Sequence, residues 1–218
     1  MRSINSAKKT AKKVIDICKQ LHNKNLLAAC DGNVSIKTHT RNILITPTGV
    51  HKAYLKISEL AIMTENGKIL KGSPSSERLM HLEVYRSCPK AKAIIHAHPP
   101  IATAWSIIKS KELPSDCISE TILAVGKIPI APYARPGTEQ MGICIRSYLP
   151  IHRVIILARH GALCWGESLE EAYMGVERLE HAAKILWIAS TLGNLTSLPK
   201  KEIQALMKIR SKMGEKIL

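Results

Sequence analysis

A chain of 218 residues is long enough for one globular domain with a sizeable core. Its 45% apolar and 22% charged residues are the balance of a water-soluble protein. The net charge of +15 raises a nucleic-acid reading. The lysines gather at the two ends, however, in Lys8 to Lys13 and Lys200 to Lys216, with no zinc-finger spacing or basic–aromatic interleaving. Solvated lysine faces that help attract an anionic substrate are therefore expected, with no nucleic-acid partner. No apolar run reaches membrane-spanning length, no secretory leader opens the chain, and no membrane association is expected. Six cysteines without a C-x-x-C pair read as reduced residues of a cytoplasmic protein. Phe is absent, so the core must rest on Ile, Leu, Val, Ala and Met.

The spacing of Val14, Ile15, Ile17, Cys18 and Leu21 predicts a helix from about Ser6 to Asn25, with lysines on its other face. A transit peptide is the alternative there; Asp16 and the lack of arginine enrichment count against it. Asp31-Gly32-Asn33 is a turn, and Val34/Ile36 alternate as a strand does. Ile43 to Thr46 returns as a second strand, ending at Pro47-Thr48-Gly49, whose free amides suit a phosphate or carboxylate. Glu65 to Lys68 reads as a hairpin turn. Ser75-Ser76 predicts a helix N-cap, with Glu77 in the first turn and the helix running to about Cys88. An ordinary cap explains this as well as an anion site does.

Ala91 to Ala97 is an apolar strand that carries His96 and His98, two apart and therefore on one face, before Pro99-Pro100 stops it. A helix over Ile101 to Lys109 follows, then short apolar runs to Ile130, an irregular loop through Gly137, and a helix from Thr138 to about Tyr148. Arg153 to Ala158 is a second buried strand, delivering His160 where it ends. Ser168 and Glu171 form a capping box for a long helix, in which His181 is a surface or packing residue. A basic amphipathic helix over about 198–218 caps the domain or meets a neighbouring subunit. Alternating strands and helices with two hairpins give one α/β domain over 1–218, with a mixed or antiparallel sheet between helices.

Three strand-end imidazoles, His96, His98 and His160, with an open fourth position form the pattern of a catalytic divalent metal, most simply zinc. Glu77 is either the fourth ligand or a base beside the metal. Gly32-Asn33, Thr48-Gly49 and Ser75-Ser76 are anion-friendly turns upstream. Together these imply a small phosphorylated carbonyl compound as substrate.

The pieces G-N-V-S (32–35), I-T-P-T-G (45–49), P-S-S-E (74–77), H-A-H-P-P (96–100), A-P-Y (131–133) with P-G-T (136–138), and R-H-G (159–161) run in one order over about residues 10 to 190. In that order they resemble the class II aldolase/adducin family. The resemblance implies a central, largely antiparallel sheet flanked by helices, and a homotetramer with sites at subunit interfaces. It implies one Zn2+ per subunit on His96, His98 and His160, with Glu77 as metal neighbour and catalytic acid/base. Gly32, Asn33, Thr48, Gly49, Ser75 and Ser76 match its phosphate-binding positions. The implied activity is a zinc-dependent aldolase, a carbon–carbon lyase that splits a ketose 1-phosphate of the L-fuculose 1-phosphate type into dihydroxyacetone phosphate and an aldehyde. The alternatives are a sugar-phosphate dehydratase, such as one acting on methylthioribulose 1-phosphate, or a 4-epimerase; a basic nucleic-acid-binding module stands behind both. Two family tyrosines have no match: Ser115 to Val125 contains none, with Glu120 nearby instead, and no Tyr follows Tyr173.

Overall fold

The computed structural model describes residues 2–108, 110–149 and 151–218, with side chains from residue 7 onward. Its strands are β1 (Asn33–Lys37), β2 (Ile43–Ile45), β3 (Ala61–Met63), β4 (Ile69–Lys71), β5 (Ala93–Ala97), β6 (Glu112–Leu113), β7 (Ile128–Ala131), β8 (Val154–Leu157) and β9 (Gly161–Gly166). Among the described residues these form one sheet in the order β4-β3-β2-β1-β5-β9-β8-β7-β6. The β7–β8 pair is parallel and the other pairs are antiparallel. This is the expected helix-flanked, largely antiparallel α/β sheet.

The helices are α1 (Arg2–Asn23), α2 (Arg78–Ser87), α3 (Pro100–Trp105), α4 (Ser119–Ala124), α5 (Gln140–Ile145), α6 (Leu169–Leu192) and α7 (Lys200–Lys212). Strand alternation sends side chains to two cores. Val34, Ile95, Ile156 and Cys164 pack with Val14, Leu21, Leu179 and Leu186 of α1 and α6. Ile94, Ile155 and Leu163 face the other way, onto Met80 and Val84 of α2 and Met141 and Ile145 of α5. Each fully buried Ile or Leu contributes ~1.5–3 kcal/mol, so a sheet covered on both faces makes a stiff frame. His96, between the inward-facing Ile95 and Ala97, shares the α2 side with Ile94.

Several boundaries differ from expectation. Glu77, and not the serine pair, occupies the N-cap of α2, and its side chain makes no capping bond. Ser75 Oγ instead accepts from the Glu77 amide at 3.2 Å, so the carboxylate is free to turn into the sheet end. The box at α6 is half formed. Ser168 Oγ accepts from Glu171 N at 3.0 Å, but Glu171 bonds Glu167 N and Arg153 Nη1, at 2.7 and 2.9 Å. α3 ends at Trp105, where Ser106 Oγ turns back to donate to Thr103 O; the expected end at Lys109 lies outside the described residues. α5 is shorter than the expected Thr138–Tyr148, with tight turns at both ends. The basic C-terminal helix α7 packs as a cap on α4: Arg210 Nη1 donates to Leu123 O at 2.8 Å.

Candidate metal centre and active site

Register brings the first two parts of the site together. Asn33 of β1 pairs with His96 of β5, and His96 pairs with Leu163 of β9. His96 is fully buried, and its Nδ1 donates to Ala162 O at 2.9 Å. A carbonyl can only accept, so this bond fixes the tautomer and leaves Nε2 as a lone pair facing the site. His98 lies one residue past β5; its amide donates to Leu26 O at 2.9 Å, and its Nε2 sits 3.0 Å from His96 Nε2. His160 comes from the β8–β9 turn. There Arg159 takes the left-handed conformation (φ 60°) and its N–H donates to Ser106 Oγ at 2.8 Å.

The three rings meet with centroids 4.7 to 5.0 Å apart. Gly161 allows this closeness, because a Cβ there would stand 2.4 Å from Ala97 O and 2.8 Å from His98 Cδ2. Gly32 does the same on the opposite side: it has φ 68°, and a Cβ would stand 2.7 Å from His96 O. Glu77 completes the group. Its Oε2 is 3.2 Å from His96 Nε2, and its Oε1 is 3.2 Å from His160 Nε2.

This donor set fits a divalent cation. One ligand atom from each histidine lies within 4.8 Å of the others. A tetrahedral zinc with bonds of ~2.0–2.1 Å holds its ligand atoms ~3.3 Å apart, close to the 3.0 and 3.2 Å contacts here. Glu77 Oε1 and His160 Nδ1 are buried polar atoms with no hydrogen-bond partner among the described residues, and a buried oxygen without a donor points to a missing partner. Burial, then the neighbouring His96, pushes the pKa values of His98 and His160 down to about 4. Both are therefore neutral at pH 7, the form that binds a cation. Burial alone would raise Glu77, but its place beside the His96 and His160 rings and the hydrogen bond from the Asn33 amide hold it low, at about 2.

Behind Glu77 runs a line of buried polar groups. Asn33 Nδ2 donates to Glu77 Oε2 at 2.8 Å. Asn33 Oδ1 meets His81 Nε2, His81 Nδ1 meets Ser35 Oγ at 2.7 Å, and Ser35 Oγ meets Tyr85 OH at 2.8 Å. Asp31 stands outside the triad, its Oδ2 3.5 Å from His98 Nδ1. Sequence reasoning missed His81, Ser35, Tyr85 and Asp31. The signal was present for two of them: His81 and Tyr85 follow Glu77 at intervals of four residues, one stripe of a helix.

The expected phosphate positions divide. Loops 46–49 and 73–76 are joined by Thr48 N to Ser73 O (3.2 Å) and Ser75 N to Thr46 O (3.1 Å), with a bridge between Pro47 and Pro74. Thr48, Gly49 and Ser76 are exposed on this double loop, and Gly137 adjoins Ser76. Gly32, Asn33 and Ser75 are buried, and both polar ends of the Asn33 side chain already have partners. Glu120 is exposed on α4, where it lines a depression with Arg178 and His181.

Residues 12–187 match the family described as Class II Aldolase and Adducin N-terminal domain. The chain is 36% identical over 175 residues to an L-fuculose phosphate aldolase of Methanococcus vannielii, covering 80% of this chain and 93% of that protein. It is 34% identical over 161 residues to a 3-oxo-tetronate 4-phosphate decarboxylase of Escherichia coli, covering 72% and 76%. A solved structure of an L-fuculose 1-phosphate aldolase superposes with a TM-score of 0.83 at 30% identity, covering 91% of this chain and 94% of that one. The match over the whole sheet and both relatives lead to one conclusion: the chain belongs to the class II aldolase and adducin family.

Proposed function

We propose that this chain is a zinc-dependent carbon–carbon lyase acting on a small phosphorylated sugar, with the metal held by His96, His98, His160 and Glu77. The observation that carries this reading is the approach of Glu77 to two of three converging imidazoles, at 3.2 Å from each. A cation bound there supplies a Lewis acid for the carbonyl end of the substrate. Glu77 handles the proton. In condensation its carboxylate removes one from the carbon that becomes nucleophilic. In cleavage the carboxyl, protonated once substrate displaces it and excludes water, returns one to the carbon left with the bonding electron pair. The exposed Thr48, Gly49 and Ser76, backed by Gly32, Asn33 and Ser75, take the phosphate, so that binding remote from the reacting carbons orients them.

Two reactions fit. In the first, a ketose 1-phosphate of the L-fuculose 1-phosphate type loses its C3–C4 bond, giving dihydroxyacetone phosphate and an aldehyde. Its C4 hydroxyl must lose a proton to a second base as the bond breaks. In the second, favoured by the decarboxylase relative, a 3-oxo acid 4-phosphate loses carbon dioxide. That departure uses the same electron sink and the same proton from Glu77, but needs no base to take a hydroxyl proton. The absence of tyrosine from Ser115 to Val125 weighs toward this second reaction. Dehydration and 4-epimerisation remain the further alternatives for the same metal site.

Zinc-loaded protein given L-fuculose 1-phosphate and, separately, 3-oxo-tetronate 4-phosphate is expected to release dihydroxyacetone phosphate from the first or carbon dioxide from the second. Full turnover by metal-stripped protein, or neither product, would overturn the proposal. The reading also includes one domain over 1–218, a cytoplasmic setting consistent with six free thiols, and a homotetramer with sites at its interfaces. Half-exposed Trp187 and Ile108, beside Ile101 and Trp105, offer an apolar face for self-association, which light scattering reads directly.

A further inference from the structure

We infer that Asn33, His81, Ser35 and Tyr85 form a one-way hydrogen-bond chain that positions Glu77, dedicating Oε2 to accepting a hydrogen bond and leaving Oε1 as the oxygen that carries the proton. The inference rests on the proposed role of Glu77 as acid/base.

The direction of the chain follows from which atoms can donate. Glu77 Oε2, on an ionised carboxylate, can only accept, so Asn33 turns its amide nitrogen toward it, at 2.8 Å. Asn33 Oδ1 then faces His81 Nε2 and can only accept, so His81 carries its hydrogen on Nε2. A neutral imidazole with Nε2–H has a bare Nδ1, which accepts from the Ser35 hydroxyl at 2.7 Å. The Ser35 oxygen in turn accepts from Tyr85 OH at 2.8 Å. Every hydrogen points toward Glu77, and reversing any one leaves two acceptors or two donors facing each other.

Burial makes reversal expensive. Ser35 and His81 are fully buried, Asn33 is 1% exposed and Tyr85 6%, so no water stands by to repair a mismatch, which costs ~1–3 kcal/mol per unsatisfied group. Burial also presses His81 toward its neutral form and Tyr85 away from ionisation, the states the chain requires. Without His81, the Asn33 amide could rotate and present its oxygen to the carboxylate. Meanwhile Oε1 has no hydrogen-bond donor among the described residues and faces the triad. His81 is thus a positioning residue that acts through Asn33.

Two measurements test this. Long-range 1H–15N correlation spectra of zinc-loaded protein carrying 15N-histidine are expected to show His81 at pH 7 as the neutral Nε2–H tautomer. An Nδ1–H tautomer or an imidazolium overturns the proposal, whatever the substrate proves to be. In turnover, His81→Leu is expected to lower kcat about 10- to 100-fold, with KM and zinc content nearly unchanged. His81→Gln should restore most of it, because a glutamine amide can donate to Asn33 and accept from Ser35. Unchanged kcat in folded His81→Leu, or no recovery in His81→Gln, overturns it. Should His81→Leu not fold, Ser35→Ala, which removes the donor to Nδ1, is expected to give a smaller fall in kcat, and an unchanged kcat counts against the chain. A wild-type protein with no activity on either substrate would remove the reading of Glu77 while leaving the tautomer result standing.

Discussion

Glu77 sits at a helix N-cap without capping it. A carboxylate there would ordinarily stabilise the helix by accepting an amide hydrogen; here both oxygens face imidazoles, and Ser75 takes the local amide. Glu77→Gln is therefore expected to leave the fold and zinc on the three histidines, and to reduce turnover by about 100- to 10,000-fold, the usual weight of a general acid/base. Zinc content by atomic absorption and kcat on the same sample check it. At this scale the sequence was most readable for residues whose type is rare and whose job is singular. His96, His98, His160 and Glu77 could be picked out because three strand-end histidines and one acidic helix start have few other uses. Asn33 was placed with the phosphate positions from its motif, but its side chain turns inward. Residues such as Ser35 and Tyr85 look like ordinary strand and helix positions until the register of β1 and the face of α2 are known.

Among the elements, the β8–β9 turn carries the sharpest constraint. It must present His160 to a strand end already occupied by His96 and, one residue beyond it, His98, and Gly161 supplies the space. In Gly161→Ala, a methyl 2.4 Å from Ala97 O must push β5 and β9 apart. The expected cost is ~1–3 kcal/mol of stability, with zinc affinity falling about 10- to 100-fold as the histidines separate. Denaturant titration and competition with a zinc chelator read the two effects separately, and wild-type zinc affinity would contradict this account of the turn. Strand and helix positions were mostly legible, because apolar period and punctuation set them locally. Helix ends were less so: α3 and α5 stop short where serine hydroxyls and tight turns compete with the helix. The sheet order was not legible, since the pairing of β1 with β5, and β5 with β9, joins segments far apart in the chain.

For the molecule as a whole, buried histidine makes stability depend on pH. Burial lowers His81 from 6.5 to about 3. Between those values the unfolded chain binds the proton and the folded chain does not, so stability rises with pH across this window. The contribution is complete above about 6.5 and is lost as pH falls toward 3. Glu77, lowered from 4.5 to about 2, acts in the same direction over its own lower window. Metal-free protein is thus expected to lose a few kcal/mol between pH 7 and pH 4, measured as a falling urea midpoint. His98 and His160, lowered to about 4, add to the same slope, and a flat profile over that range would contradict the lowered pKa values of the buried histidines.

The end of the chain is tied into the body. Arg210 bonds the carbonyls of Glu215 and Lys216, Ile217 is 3% exposed with its amide on Glu171 Oε1, and the Leu218 amide donates to Ala124 O at 3.2 Å. An affinity tag fused directly after Leu218 would start against Ala124 of α4, and pulling on it would draw first on Glu171 and then on Arg153. For immobilisation on a sensor surface, a spacer of several flexible residues is needed there, or the measured response will report a loosened C-terminus along with the ligand.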